Sequence, residues 1–241
     1  MTKPLMIPIS IFASGRGSGF DAICAAIDSG RLAARVTSVV SDRADAPVLE
    51  KARARGVSTH LIPFPASSGS SQGSSNPRHG DSDPGGSSLA NRRLRHDEEI
   101  FHRLTTESPR FLVMAGYMRM VSPLLLDAYR SERGYSRIVN IHPSLLPAFP
   151  GVGGYAQAFE HGCAVAGVTV HLVDSNLDSG PICVQEAFSI SDCQCAQDVE
   201  ERGLKVEHRL YPSALAWILP EKFEMETRTD LPTRRPCVRP N

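Results

Sequence analysis

The chain contains no apolar run approaching the roughly 20 residues that a helix needs to cross a bilayer. Its apolar stretches, such as Phe111 to Ala115, are no longer than a strand. Neither sign of charge predominates. The 26 Lys and Arg residues equal the 26 Asp and Glu residues and no long single-sign block occurs, which removes the electrostatic footprint of a nucleic-acid or anionic-membrane binder. Any anion site must therefore be local. The N-terminus carries one lysine, then Pro4 and Pro8, and lacks the apolar core of a secretory signal. The six cysteines include no Cys-x-x-Cys pair, and Cys193 and Cys195 stand as Cys-x-Cys with no second pair nearby. A zinc site or a disulfide framework is not expected. His60, His79, His96, His102 and His161 form no metal-ligand spacing, and no internal repeat is present. The expectation is a cytoplasmic protein with no metal, no nucleic-acid partner and no membrane partner.

What the chain does contain is an alternation of strand-like and helix-like segments, which predicts a parallel sheet flanked by helices. Pro8 to Ala13, Val36 to Val40, Val57 to Pro63, Arg110 to Ala115 and Arg137 to Ile141 read as strands. Between them, Phe20 to Ile27, Ala44 to Arg55, Arg92 to Thr106 and Ser122 to Tyr129 have helical patterns. Val165 to Val173 and Ile182 to Phe188 suit a hairpin across the Asp178-Ser179-Gly180-Pro181 turn, and Asp198 to Ile218 has helical periodicity. From about residue 66 to 90 the composition collapses to Ser, Gly, Pro, Asn and Asp, as in a linker or surface insertion. One domain over 5–220 is expected, interrupted by that insertion and followed by an extended tail over 221–241, apart from the core.

Two stretches carry chemistry. Asn140-Ile141-His142-Pro143 ends a strand-like run, and residues i and i+2 of a strand point to the same side. Asn140 and His142 can thus converge on one carbonyl oxygen, one as a neutral donor and the other as a donor that can also pass a proton. The alternative is a polar strand end that caps a turn. Ser14-Gly15-Arg16-Gly17-Ser18-Gly19 follows the first strand and opens the first helix. Glycines there admit a ligand close to the backbone, and free N–H groups at a helix start attract phosphate. The spacing misses both the dinucleotide Gly-x-Gly-x-x-Gly and the Walker pattern. Asp42, at the end of the second strand, keeps a nucleotide-ribose reading open, and a plain tight turn is the remaining alternative.

Five segments in order, namely the glycine turn, Ala115-Gly116-Tyr117-Met118-Arg119-Met120, Asn140 to Pro147, Leu177-Asp178-Ser179-Gly180-Pro181 and Glu207-His208-Arg209-Leu210-Tyr211-Pro212, resemble the glycinamide ribonucleotide formyltransferase family of purine biosynthesis. The resemblance runs from about Ile9 to Ile218. It implies a single-domain α/β fold, a Rossmann-like doubly wound and mostly parallel sheet, and transfer of a formyl group from 10-formyltetrahydrofolate to the amine of glycinamide ribonucleotide. By the same resemblance Asn140, His142 and Asp178 are catalytic, and Gly17, Ser18 and Gly19 bind the substrate phosphate. Met118, Arg119, Met120, Val121 and Asn140 receive the folate, Arg93 contacts it, and Glu207 meets the substrate amine or ribose. The implied partners are these two small molecules, with the chain a monomer or a homodimer.

Residue by residue, blander roles stand beside these. Asp178 suits a Gly-Pro turn structurally, Glu207 with Lys205 and Arg209 nearby suits a solvated helix face, and His171 suits a packed strand. The chain also departs from the family pattern. Gly19 stands where asparagine is usual, and Val152-Gly153-Gly154-Tyr155 replaces a segment whose histidine, matched by Gly153, supports the catalytic aspartate. Either Tyr155 fills that space or the loop takes another course. A formyltetrahydrofolate deformylase shares the Asn/His/Asp set but usually carries an extra N-terminal domain, and few residues precede the first expected strand. A methionyl-tRNA formyltransferase would need a larger C-terminal RNA-binding domain. A non-catalytic folate- or phosphate-binding protein on the same scaffold is the rival from another class.

Overall fold

The structure is a computed structural model that describes residues 5–66, 88–226 and 237–240. The first half alternates β1 (Ile7–Phe12), α1 (Ser18–Asp28), β2 (Ala34–Ser41), α2 (Pro47–Ala54), β3 (Ser58–Leu61), α3 (Leu89–Leu104), β4 (Phe111–Met114), α4 (Pro123–Ala128) and β5 (Ile138–His142). The second half contains α5 (Gly154–Glu160), β6 (Val165–Leu172), β7 (Ile182–Ser189), the long α6 (Ala196–Ile218), β8 (Phe223–Glu226) and β9 (Cys237–Pro240).

Among the described residues the strands form one sheet in the order β3-β2-β1-β4-β5-β6-β7-β9-β8. Strands β3 through β5 are parallel, whereas β6 pairs antiparallel with both β5 and β7. The sheet is thus α/β, doubly wound and mostly parallel. Its chain winds outward from β1 to β3 and then crosses back to β4, so the winding direction reverses between β1 and β4. At such a switch point the two loops leave the strand ends in opposite directions and open a crevice.

Burial explains why these segments form strands. All four residues of β4 are buried, as a central strand with both faces covered requires. Phe111 and Val113 point into one core cluster with Phe20 of α1 and Tyr211 and Leu215 of α6. Leu112 and Met114 point into the other, with Ile100 and Leu104 of α3 and Leu125 of α4. The two-residue period of the strand produces this division. Helix α1 buries Phe20, Ile23, Cys24 and Ala26, spaced to line one face.

Three segments depart from the sequence expectation. Most of the 66–90 stretch lies outside the described residues, but Leu89 and Ala90 already belong to α3, whose first turn is capped by Ser88 accepting from the Asn91 N–H. The segment after residue 220 is not all tail: β8 and β9 extend the sheet, with Phe223 and Val238 in the main core. Arg133 donates to the carbonyls of Glu221 and Phe223, and the Glu221 carboxylate receives Tyr135 Oη and Arg137 Nε, each at 2.7 Å. One buried residue per short strand leaves almost no local pattern, so partners distant in sequence decide that these strands exist. Helix α5 was also not anticipated, because two glycines at a helix start argue against one locally.

Candidate active site

A cavity of about 1000 Å³ opens at the carboxyl ends of β1, β4 and β5, at the β1/β4 switch point. Strand register places Phe12, Met114, Asn140 and His171 side by side across four strands. Asn140 and His142 both line the cavity, as their i, i+2 spacing predicts, and Asp178 lines it from the turn after β6. His142 Nδ1 lies 3.3 Å from Asp178 Oδ2, while its Nε2 donates to the Phe149 carbonyl at 2.9 Å. Both ring nitrogens therefore face oxygen acceptors. Asp178 has a left-handed backbone at φ 48°, and its Oδ2 also accepts from the Gly151 N–H at 2.8 Å. The next turn residue but one, Gly180, cannot take a side chain, because a Cβ there would lie 2.0 Å from the Leu172 carbonyl oxygen.

Where the family pattern carries a supporting histidine, the Gly151 N–H holds Asp178 beside His142, and Tyr155 does not fill that role. Its hydroxyl instead donates to Glu207 Oε1 at 2.6 Å.

His171, which suits a packed strand by its sequence alone, faces the site. It is buried but lines the cavity, with Nδ1 on the Leu172 carbonyl at 3.0 Å. The Asn140 amide nitrogen, a donor only, lies 3.2 Å from His171 Nε2, so His171 orients the amide. Asp178 Oδ1 is 3.8 Å from the same nitrogen. The alternation within β6 signalled that His171 faces one side; only its register opposite Asn140 places it here.

The glycine turn lies on the cavity wall, from Gly15 to Gly19. Gly17 caps α1 with φ 75°, and a Cβ there would sit 2.7 Å from Val48. The first intrahelical bond runs from Asp21 N to Gly17 O, so the N–H groups of Ser18, Gly19 and Phe20 precede the hydrogen-bonded ladder. Such groups, with the helix dipole, attract an anion. A Cβ at Gly19 would approach Ala115 to 3.1 Å, so glycine here matches the close passage of the β4 loop.

Asp42 does not take part in this cavity. Buried beside the turn, it accepts from Ser14 Oγ at 2.6 Å and from Arg119 Nε at 2.7 Å. Both oxygens are committed to protein donors, which removes the observation that kept a ribose reading open. Met118, Arg119, Met120 and Val121 do line the cavity, and the Met118 N–H donates to Ser14 Oγ at 3.1 Å. Arg93 does not: among the described residues it is absent from the wall, and it lies on α3 within electrostatic range of Asp97. The neighbouring Arg92 is also turned aside, toward the Phe64 ring.

Asp97 holds the far end of the 118–121 segment, accepting from the Ser122 N–H. Burial pushes its carboxyl from 3.8 up to about 6, against the pull of that hydrogen bond. The native state consequently keeps this proton at pH values where the unfolded chain has lost it. The sign follows directly: stability falls as pH rises from about 4 to about 6, by as much as about 3 kcal/mol from this group. Asp97→Asn, which can still accept from Ser122, is expected to remove that part of the pH dependence. Denaturant titrations at pH 4, 5, 6 and 7 check it, and parallel curves for parent and variant would refute it.

Glu207 is not a solvated helix charge. It lines the cavity, burial raises its carboxyl above the ordinary range, and the Tyr155 hydrogen bond partly offsets the rise. Nearby Arg209 pairs instead with Glu186. No group of three or more His, Cys, Asp or Glu placed to hold a metal occurs among the described residues, and no described helix is long and apolar enough to cross a membrane.

A doubly wound sheet that gathers an amide, an imidazole and a carboxylate in one cavity, beside free N–H groups at a helix start, suits an α/β group-transfer enzyme. The chain belongs to the formyl transferase family, whose sequence profile matches residues 8–215. It is 34% identical over 214 residues to a phosphoribosylglycinamide formyltransferase of Bacillus subtilis, covering 89% of this chain and 95% of that one. Against the protein of that name from Escherichia coli the identity is 31% over 217 residues, with 90% and 89% covered. The crystal structure of glycinamide ribonucleotide transformylase 1 from Symbiobacterium toebii superposes with a TM-score of 0.78 at 34% identity, covering 99% of this chain and 95% of that chain.

Proposed function

We propose that this chain transfers the formyl group of 10-formyltetrahydrofolate to the amine of glycinamide ribonucleotide in purine biosynthesis. The amine attacks the formyl carbon, the new C–N bond forms, and collapse of the tetrahedral intermediate breaks the bond to the folate nitrogen. In that intermediate the oxygen becomes negative and the nitrogen positive. Asn140 donates to the oxygen without changing charge, and His142 donates alongside it once its ring leaves the Phe149 carbonyl. Asp178 holds the His142 ring at Nδ1 and, through a solvent molecule, takes the proton the amine loses and returns it to the departing folate nitrogen. The turn at Gly17, Ser18 and Gly19 takes the ribonucleotide phosphate, Glu207 meets its amine or ribose, and the segment from Met118 to Val121 receives the pterin.

The single observation that carries this reading is the approach of His142 to Asp178, 3.3 Å apart on the wall that also carries Asn140. One experiment tests it: formyl transfer measured with glycinamide ribonucleotide present, and formate release measured without it. Transfer that depends on the ribonucleotide supports the proposal. Formate release unaffected by the ribonucleotide identifies a deformylase, and binding of either ligand with neither product identifies a binding protein.

A further inference from the structure

Tyr155 stands in the segment that departs from the family pattern, and three features show that the fold is shaped around it. Helix α5 begins against the catalytic strand's exit: Gly153 takes φ 75°, and a Cβ on Gly154 would lie 2.4 Å from the Pro143 carbonyl oxygen. That seating directs Tyr155 toward α6. On α6 Gly203 provides the recess, since a Cβ there would fall 2.2 Å from Tyr155 Cζ and 2.4 Å from its hydroxyl oxygen. Phe188 meets the ring edge-on at 6.1 Å. The buried ring delivers one hydroxyl, one helical turn along α6 from Gly203, to Glu207 Oε1.

A phenol has a single proton to donate, so it engages one carboxylate oxygen and leaves the other. Among the described residues Glu207 accepts from Tyr155 Oη, while neighbouring Arg209 pairs with Glu186 instead. A carboxylate that lines a cavity with one oxygen held by a neutral donor can take a partner carrying N–H or O–H groups at the other oxygen. We propose that Tyr155 is a positioning residue for substrate recognition, locking Glu207 so that its second oxygen faces the amine or ribose hydroxyls of the ribonucleotide. This inference rests on the reading that Glu207 meets that substrate. Because the lock acts on one ligand, it predicts a selective defect rather than a general one.

Tyr155→Phe keeps the ring in its recess and removes only the hydroxyl. The expected result is a KM for glycinamide ribonucleotide raised roughly tenfold, the loss of one hydrogen bond to a charged group, with kcat and the KM for the folate within about twofold. Glu207→Gln should raise the same KM, and Tyr155→Phe added to it should change that KM little further, because the two side chains act as one unit. Equal rises in both KM values, additive effects in the double variant, or an unchanged ribonucleotide KM in Tyr155→Phe would each overturn the proposal. If Glu207→Gln alone leaves the ribonucleotide KM unchanged while transfer proceeds, the role of Glu207 fails and the lock with it. If the unmodified chain transfers no formyl group, it is the proposed reaction that fails, and calorimetric binding of the ribonucleotide to parent and Tyr155→Phe then decides the lock by the same tenfold criterion.

Discussion

Asn140→Ala is expected to reduce single-turnover formyl transfer by roughly 10²- to 10³-fold, the usual loss when one donor to a developing oxyanion is removed. The fold should tolerate it. Asn140 is half-buried at a strand end, and its side chain contacts His171 rather than the apolar core. The melting temperature should therefore stay within a few degrees of the parent. The effect belongs in kcat, because negative charge develops on the oxygen only as the tetrahedral intermediate forms and is absent from the bound substrate. His142→Ala is expected to show a loss of similar size. Near-normal transfer in both variants, measured under single-turnover conditions on folded protein, would remove these two residues from the chemistry.

The second large effect is expected at Asp178. Asp178→Asn retains an oxygen that can accept from the Gly151 N–H, so the turn keeps its geometry, but it removes the negative charge 3.3 Å from His142 Nδ1. Turnover should fall by about 100-fold, near 2.7 kcal/mol of transition-state stabilisation. The aspartate acts both on the imidazole and on the amine proton, so in a His142→Ala background the loss should shrink to the part that the proton relay contributes. Full additivity of the two substitutions would show that Asp178 acts independently of His142. A chain that melts far below the parent would instead mark Asp178 as a structural turn residue.

The parts of the site legible in the sequence are those that a few consecutive residues determine. Asn140 and His142 share a side because a strand alternates, whatever it pairs with. Gly17 turns into α1 with a positive φ, and only backbone freedom is needed to foresee it. The strand and helix sequence from β1 to β5 likewise follows from local apolar period, with ends shifted by a few residues.

The parts that could not be foreseen depend on register between distant segments. His171 looked like any buried strand residue until β6 was seen to place it opposite Asn140. Asp42 carried the right residue type in the right place for a ribose contact, yet Ser14 and Arg119, remote in the chain, occupy both its oxygens. Arg93 lies on the expected helix, but none of the described residues of α3 lines the cavity, and the helix packs Ile100 and Leu104 into the second core cluster instead. The strands β8 and β9 exist because the sheet edge at β7 and the arginines around Glu221 accept them.

The sequence by itself determined the layered α/β alternation, the glycine turn that opens α1 and the pairing of an amide with an imidazole, since each follows from the dihedral preferences and periodicity of neighbouring residues. The family resemblance pointed to Asp178, but only the tertiary structure decided how that carboxylate reaches the imidazole, what supports it, and why Tyr155 meets Glu207 instead. Those outcomes turn on ångström-scale packing between helices and strands far apart in the chain, such as the recess at Gly203 and the contact of Gly154 with Pro143. Short-range propensities carry no information about such distances.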